Sequence, residues 1–183
     1  TGVWGISSER GYSVDDANAD LITYDFDHED GRIVCTVRGT LAHNTTYRTP
    51  AICFRIFEDY LGAISTANYL LVRLLSATAA ASGGVVDLRK MDASSESSLA
   101  TGALTTTNGV DYVVRIRFEG TRIRVWVDDI ERISYDLVGT DTKYLAGKRI
   151  GVRWDKGGSP GTAARIDDFR AHRITGFTEH HDY

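Results

Sequence analysis

Six arginines and one tryptophan, Arg55, Arg73, Arg115, Arg117, Arg124 and Arg153 with Trp126, fall at alternating positions of segments that read as extended strands. An aromatic ring stacks on the apolar face of a sugar. A guanidinium fork hydrogen-bonds hydroxyls and pairs bidentately with carboxylates or phosphates. Gathered on one outward sheet face, as strand alternation predicts if their apolar neighbours form the core, these side chains would bind a glycan, acidic or phosphorylated ones included. The competing reading is bland: arginines on exposed strands solubilise a sheet, pair with Asp and Glu, and cover apolar neighbours with their stems.

A second group is acidic. Asp25-Phe26-Asp27-His28-Glu29-Asp30-Gly31 brings carboxylates to one side of a strand end and then runs into a turn glycine. Such residues make a solvated turn. They could also supply oxygens to Ca²⁺, with Asp27 as a ligand, although the spacing is not that of an EF-hand. Asp167, in Asp167-Asp168 near the last strand, is the other candidate for a structural calcium, or else the partner of an arginine. The five histidines show no metal-binding spacing, and there is neither a Gly-x-Ser-x-Gly elbow nor a phosphate-binding loop.

The elements that must position these groups are strands. Tyr112, Val114, Ile116 and Phe118 share one face of a segment whose other face carries Arg115 and Arg117. After Glu119-Gly120-Thr121 the alternation resumes with Ile123, Val125 and Val127 inward and Arg124 and Trp126 outward, which predicts a hairpin. Further strands are expected at Val3–Ile6, Ile33–Arg38, Ile52–Phe57, Tyr69–Leu75, Val85–Lys90, Ile133–Leu137, Arg149–Trp154 and Ala164–Ile174, with Ser94–Ser98 as a polar loop. Many short strands separated by turns indicate an all-β sandwich or barrel. The 183 residues suit one domain, taken as 1–175 with a polar tail at 176–183. A net charge of −4 gives no reason to expect nucleic acid, and no apolar run approaches a membrane span. If Arg32–Arg38 and Ala51–Phe57 formed one hairpin, Cys35 would face Cys53 and a disulfide could close. If the two strands belong to opposite sheets, both are buried free thiols.

The succession Phe54-Arg55, Tyr69–Leu74, the hairpin Tyr112–Phe118 with Ile123–Asp128, Arg149–Val152 and Ala164–Phe169 resembles the concanavalin A-like lectin and glucanase superfamily, in particular its laminin-G-like domains. The resemblance runs from about Trp4 to about Ile174 and implies a two-sheet antiparallel jelly roll. It also implies a non-catalytic glycan-binding module. Retaining glucanases of the superfamily carry Glu-x-Asp-x-x-Glu on one strand, and that run is absent. Similar modules occur in secreted carbohydrate enzymes and in phage tail proteins, so an extracellular or virion setting is expected. The alternatives are a structural or oligomerising domain of a tail fibre and, third, a glycan hydrolase or lyase with a dispersed site.

Overall fold

The computed structural model describes residues 11–15, 19–38, 50–57, 67–75, 84–93, 95–107, 110–155 and 165–174. The expected strand Val3–Ile6 and the polar tail fall outside them. The strands are β1 Gly11–Asp15, β2 Ala19–Asp25, β3 Gly31–Arg38, β4 Ala51–Ile56, β5 Tyr69–Leu75, β6 Val85–Asp92, β7 Ser95–Ala103, β8 Asp111–Glu119, β9 Arg122–Val127, β10 Ile130–Asp136, β11 Arg149–Asp155 and β12 Arg165–Arg173. A seven-stranded sheet runs β1-β2-β11-β4-β5-β6-β7 and a five-stranded sheet runs β10-β9-β8-β3-β12. The chain is a two-sheet antiparallel sandwich, as expected.

Alternation builds the core. Ile33, Cys35 and Val37 on β3, Tyr112, Val114, Ile116 and Phe118 on β8, and Ile123, Val125 and Val127 on β9 turn inward. They meet Ile52 and Phe54 of β4, Leu70, Val72 and Leu74 of β5, and Val86 and Leu88 of β6. The Phe54 and Phe118 rings stack across the sheets with centroids 5.1 Å apart. The β8–β9 hairpin forms where the alternation predicts it. Its turn uses Gly120 at φ +49, while Asp128 and Asp129 take positive φ in the two-residue β9–β10 turn.

The middle strands β4 and β5 of the seven-stranded sheet are buried on both faces. Behind it Leu21, Ala51, Cys53, Ile56, Ala67, Tyr69, Leu71 and Met91 form a second apolar cluster, which is why every residue of β4 is buried. Consecutive β3 and β4 therefore lie in different sheets. Cys35 points into the sandwich and Cys53 to the far side, so both are free buried thiols and the hairpin that would have paired them does not form.

One expectation is corrected, and further elements appear that were not foreseen. Ser94–Ser98 was expected as a loop, but Ser95–Ala103 is the edge strand β7. Its small polar residues suit an edge, where one side of the ladder faces no strand. β1 lies where no strand was expected, and β2 is the strand whose end carries Asp25. Gly139–Ala146 forms a 3-10 segment that reaches β6, with the Tyr144 hydroxyl donating to the Met91 carbonyl at 2.9 Å and Asp141 paired with Lys90 at 2.5 Å.

Candidate functional site

The expected single arginine face divides into three environments, because the strands that carry it belong to two sheets and one of them is bulged.

Trp126, Arg115, Arg117 and Arg124 stay together on the outer face of the five-stranded sheet. Register sets them in rows: Arg117 lies opposite Arg124, and Arg115 opposite Trp126. The Arg115 guanidinium lies 5.6 Å from the Trp126 ring centroid and pairs with Asp129 of the following turn. Pairing with β3 and β12 adds residues that sequence reasoning missed. Arg32 lies opposite both Arg117 and His172, and Val34 opposite both Arg115 and Arg170. The row across the sheet thus reads Ser134, Arg124, Arg117, Arg32, His172, and the next reads Glu131, Trp126, Arg115, Val34, Arg170. Arg32, Arg124, Arg170 and His172 are exposed, while Trp126, Arg115 and Arg117 are half-buried. A shallow groove on this face is lined by Arg117, Glu119, Arg122 and Arg124. Arg117 pairs with Glu119 at 2.7 Å and Arg122 with Asp136 at 2.5 Å. The phase of Arg32 was legible in the sequence, but its neighbour was not, since that depends on which strands pair.

Arg55 leaves the surface altogether. It is the extra residue of a β-bulge, since Arg149 pairs with Ile56 and Ile150 with Phe54, and it takes φ +52. The bulge re-aims its side chain out of strand alternation. The guanidinium, fully buried, donates to the Gly120 carbonyl at 2.5 Å and the Glu29 carbonyl at 3.3 Å, and lies 5.6 Å from the Phe118 centroid. Burial lowers its pKa to about 10, against the opposing pull of Asp30 and Glu29. Arg55 ties two turns together and is not a ligand-facing residue.

Arg73 and Arg153 lie on the far face of the seven-stranded sheet, both buried. Arg73 Nη1 reaches Glu96 Oε1 at 2.7 Å, Arg89 Nε reaches the same oxygen at 2.6 Å, and Arg153 Nη1 reaches Glu96 Oε2 at 3.1 Å. Arg153 also donates to the Tyr69 hydroxyl at 3.0 Å. Arg89 pairs with Asp87 at 2.5 Å, and Ser98 donates to the same carboxylate at 2.6 Å. β11 and β7 are four strand spacings apart, about 19 Å in a flat sheet, further than the two side chains span. The Arg153–Glu96 contact therefore marks this as the concave face. Concave faces are common ligand sites, but these polar groups are engaged with one another.

Two carboxylates of the acidic run are likewise engaged. Asp25 pairs with Arg149 at 2.8 Å, and Asp30 accepts from the Gly120 amide at 2.8 Å and lies 3.6 Å from Arg55. The expected turn keeps Asp27 and Glu29 exposed and is anchored through Asp30. Asp27 precedes the start of β3, whereas Asp167 pairs opposite Thr36 near its other end, so the two calcium candidates are separate. Among the described residues no three His, Cys, Asp or Glu side chains are grouped to hold a metal, and no helix is long and apolar enough to cross a membrane.

No family model and no curated protein matches the chain by sequence. Solved structures do match by shape. The carbohydrate binding module CBM66 from Bacillus subtilis aligns over 90% of this chain and 93% of its own, with TM-score 0.55 and 14% identity. The VIP36 exoplasmic/lumenal domain, solved with Ca²⁺ and Man3GlcNAc, aligns over 93% of this chain and 84% of its own, with TM-score 0.56 and 14% identity. A tetrameric galectin from Cinachyrella sp. aligns over 83% of this chain and 99% of its own, with TM-score 0.56 and 11% identity. At these identities the likeness establishes the fold alone, a concanavalin A-like two-sheet jelly roll.

Proposed function

We propose that this chain is a non-catalytic glycan-binding module, and that its site is the outer face of the five-stranded sheet, centred on Trp126. The carrying observation is that Trp126, Arg115, Arg117 and Arg124 lie as neighbours on one accessible face. An indole half open to solvent supplies the stacking platform, and the guanidinium forks around it supply donors to hydroxyls and anionic groups. Each contact on a shallow face gains little, so binding relies on repeated copies within a larger secreted or phage tail protein. The phage setting rests on the resemblance of the Trp4-Gly5-Ile6 opening and the strand order that follows it. The fold it shares with the carbohydrate binding module and lectin domains supports the sugar reading.

The non-catalytic reading has its own support. A retaining glycosidase needs two carboxyl groups about 5 Å apart, one of them free to attack. On the concave face Glu96 is held by three guanidiniums and Asp87 by Arg89 and Ser98.

The test is a glycan-array screen of the domain, run with calcium and with chelator, beside Trp126→Ala. A hit lost in the variant, with an unchanged unfolding midpoint, is expected. Retained binding in Trp126→Ala would remove the site from this face. A blank array in both conditions, together with an obligate oligomer by light scattering, would favour the structural-domain reading instead.

A further inference from the structure

We infer that the ligand of this face is an anionic polysaccharide with an acidic group on alternate sugars, lying across the strands rather than along them. This rests on the glycan reading above and specifies its chemistry. The row Arg124, Arg117, Arg32 sets three guanidiniums on three adjacent strands, each directly opposite the next. Like charges in directly opposed cross-strand positions repel and destabilise a sheet. The middle charge is compensated by Glu119, whereas Arg124 and Arg32, both exposed, have no ion pair among the described residues. Arg170, diagonal to Arg32 on the neighbouring strand, is likewise exposed and without an ion pair among them. A chain with net charge −4 thus keeps unpaired guanidiniums together on a face that also carries an accessible tryptophan. Its acidic residues outnumber its lysines and arginines by 25 to 21, so shortage of carboxylates is not the reason.

The spacing selects the repeat. Arg124 and Arg32 are two strands apart, roughly 10 Å across the sheet, close to the advance of two pyranose units in an extended chain. An acidic group paired with Arg124 places the next one, two sugars along, at Arg32 and Arg170. The intervening neutral sugar crosses Arg117, whose charge is already balanced. Trp126 is two residues from Arg124 on the same face of β9, about 7 Å to one side of this row, where it flanks the sugar that pairs with Arg124. A chain lying along a strand would meet one unpaired arginine and then run off the sheet.

The domain is titrated calorimetrically at low and at physiological ionic strength with three probes. These are hyaluronate, with one carboxylate per disaccharide, its carboxyl-reduced neutral counterpart, and a single-stranded oligonucleotide of equal charge. Arg32→Gln with Arg124→Gln is the paired variant, and its thermal unfolding is measured alongside. The inference expects hyaluronate to bind at least 10-fold more tightly than the neutral polymer, with an affinity that falls as salt rises. The double variant should lose that advantage while its unfolding midpoint stays or rises. Equal binding of both polymers, dependent on Trp126 and indifferent to the double variant, overturns the anionic inference and leaves the glycan site standing. Absence of polysaccharide binding by the parent overturns both. An oligonucleotide binding as tightly as hyaluronate overturns the inference in favour of an unspecific polyanion surface.

Discussion

The two sheets carry arginines at the same alternating phase and use them in opposite ways. On the far face of the seven-stranded sheet, Arg73 and Arg153 are buried and converge with Arg89 on Glu96, a carboxylate from the edge strand β7. On the outer face of the five-stranded sheet, Arg117 and Arg122 make short, solvent-exposed pairs and Arg32 and Arg124 point to water. Removing charges from water costs several kcal/mol each, and only a network of mutual partners offsets it. Where water remains, the same side chain needs no partner and stays available to a ligand. Covering, rather than residue type, decides whether an arginine is part of the scaffold or part of a site.

The contrast predicts a graded series of effects. Glu96→Gln should be the most damaging. It leaves three clustered guanidiniums without their shared carboxylate, at a cost of about 3 to 5 kcal/mol in urea unfolding. A loss below 1 kcal/mol would mean that the concave cluster is solvated after all. Arg55→Ala should follow at about 2 to 4 kcal/mol, because it strands the Gly120 and Glu29 carbonyls and opens space beside Phe118.

Alkaline pH should act next, through Tyr69. Burial raises its pKa above 10.0, so the folded state keeps a proton that the unfolded chain releases, and stability is lost as pH rises from 10.0 upward. The slope is about 1.4 kcal/mol per pH unit for this group. Arg55, lowered to about 10, opposes it above that pH, because there the unfolded chain holds the extra proton. The clean measurement is therefore the difference between Tyr69→Phe and the parent across pH 8 to 11. A flat difference would contradict the burial of that hydroxyl.

The smallest effect should be Arg117→Ala on the open face, about 0.2 to 1 kcal/mol, and less in high salt. A cost approaching that of Glu96→Gln would erase the distinction between the two faces.

Legibility followed the range of the interactions involved. The hairpin from Tyr112 to Val127 was readable because alternation, turn chemistry and inward residues are all local, and its register then set Arg115 beside Trp126 and Arg117 beside Arg124. Arg55 was misplaced because one extra residue in β4 breaks the period of two, and nothing in Phe54-Arg55-Ile56 announces a bulge. Ser95–Ser98 was misread because an edge strand tolerates the composition of a loop, and the carboxylate that organises the concave face was overlooked with it. The cysteines carried two readings, separated only by the assignment of β3 and β4 to different sheets.

By itself, then, the sequence determined an all-β chain, the inward set of most strands and the outward set of the β8–β9 hairpin, since a strand's side chains alternate whatever it packs against. The tertiary structure alone decided which arginines became neighbours, which were covered, and that Arg32 completes the row begun by Arg124 and Arg117. Those outcomes depend on strand order and on the curl of a sheet, and each is set by contacts between residues far apart in the chain.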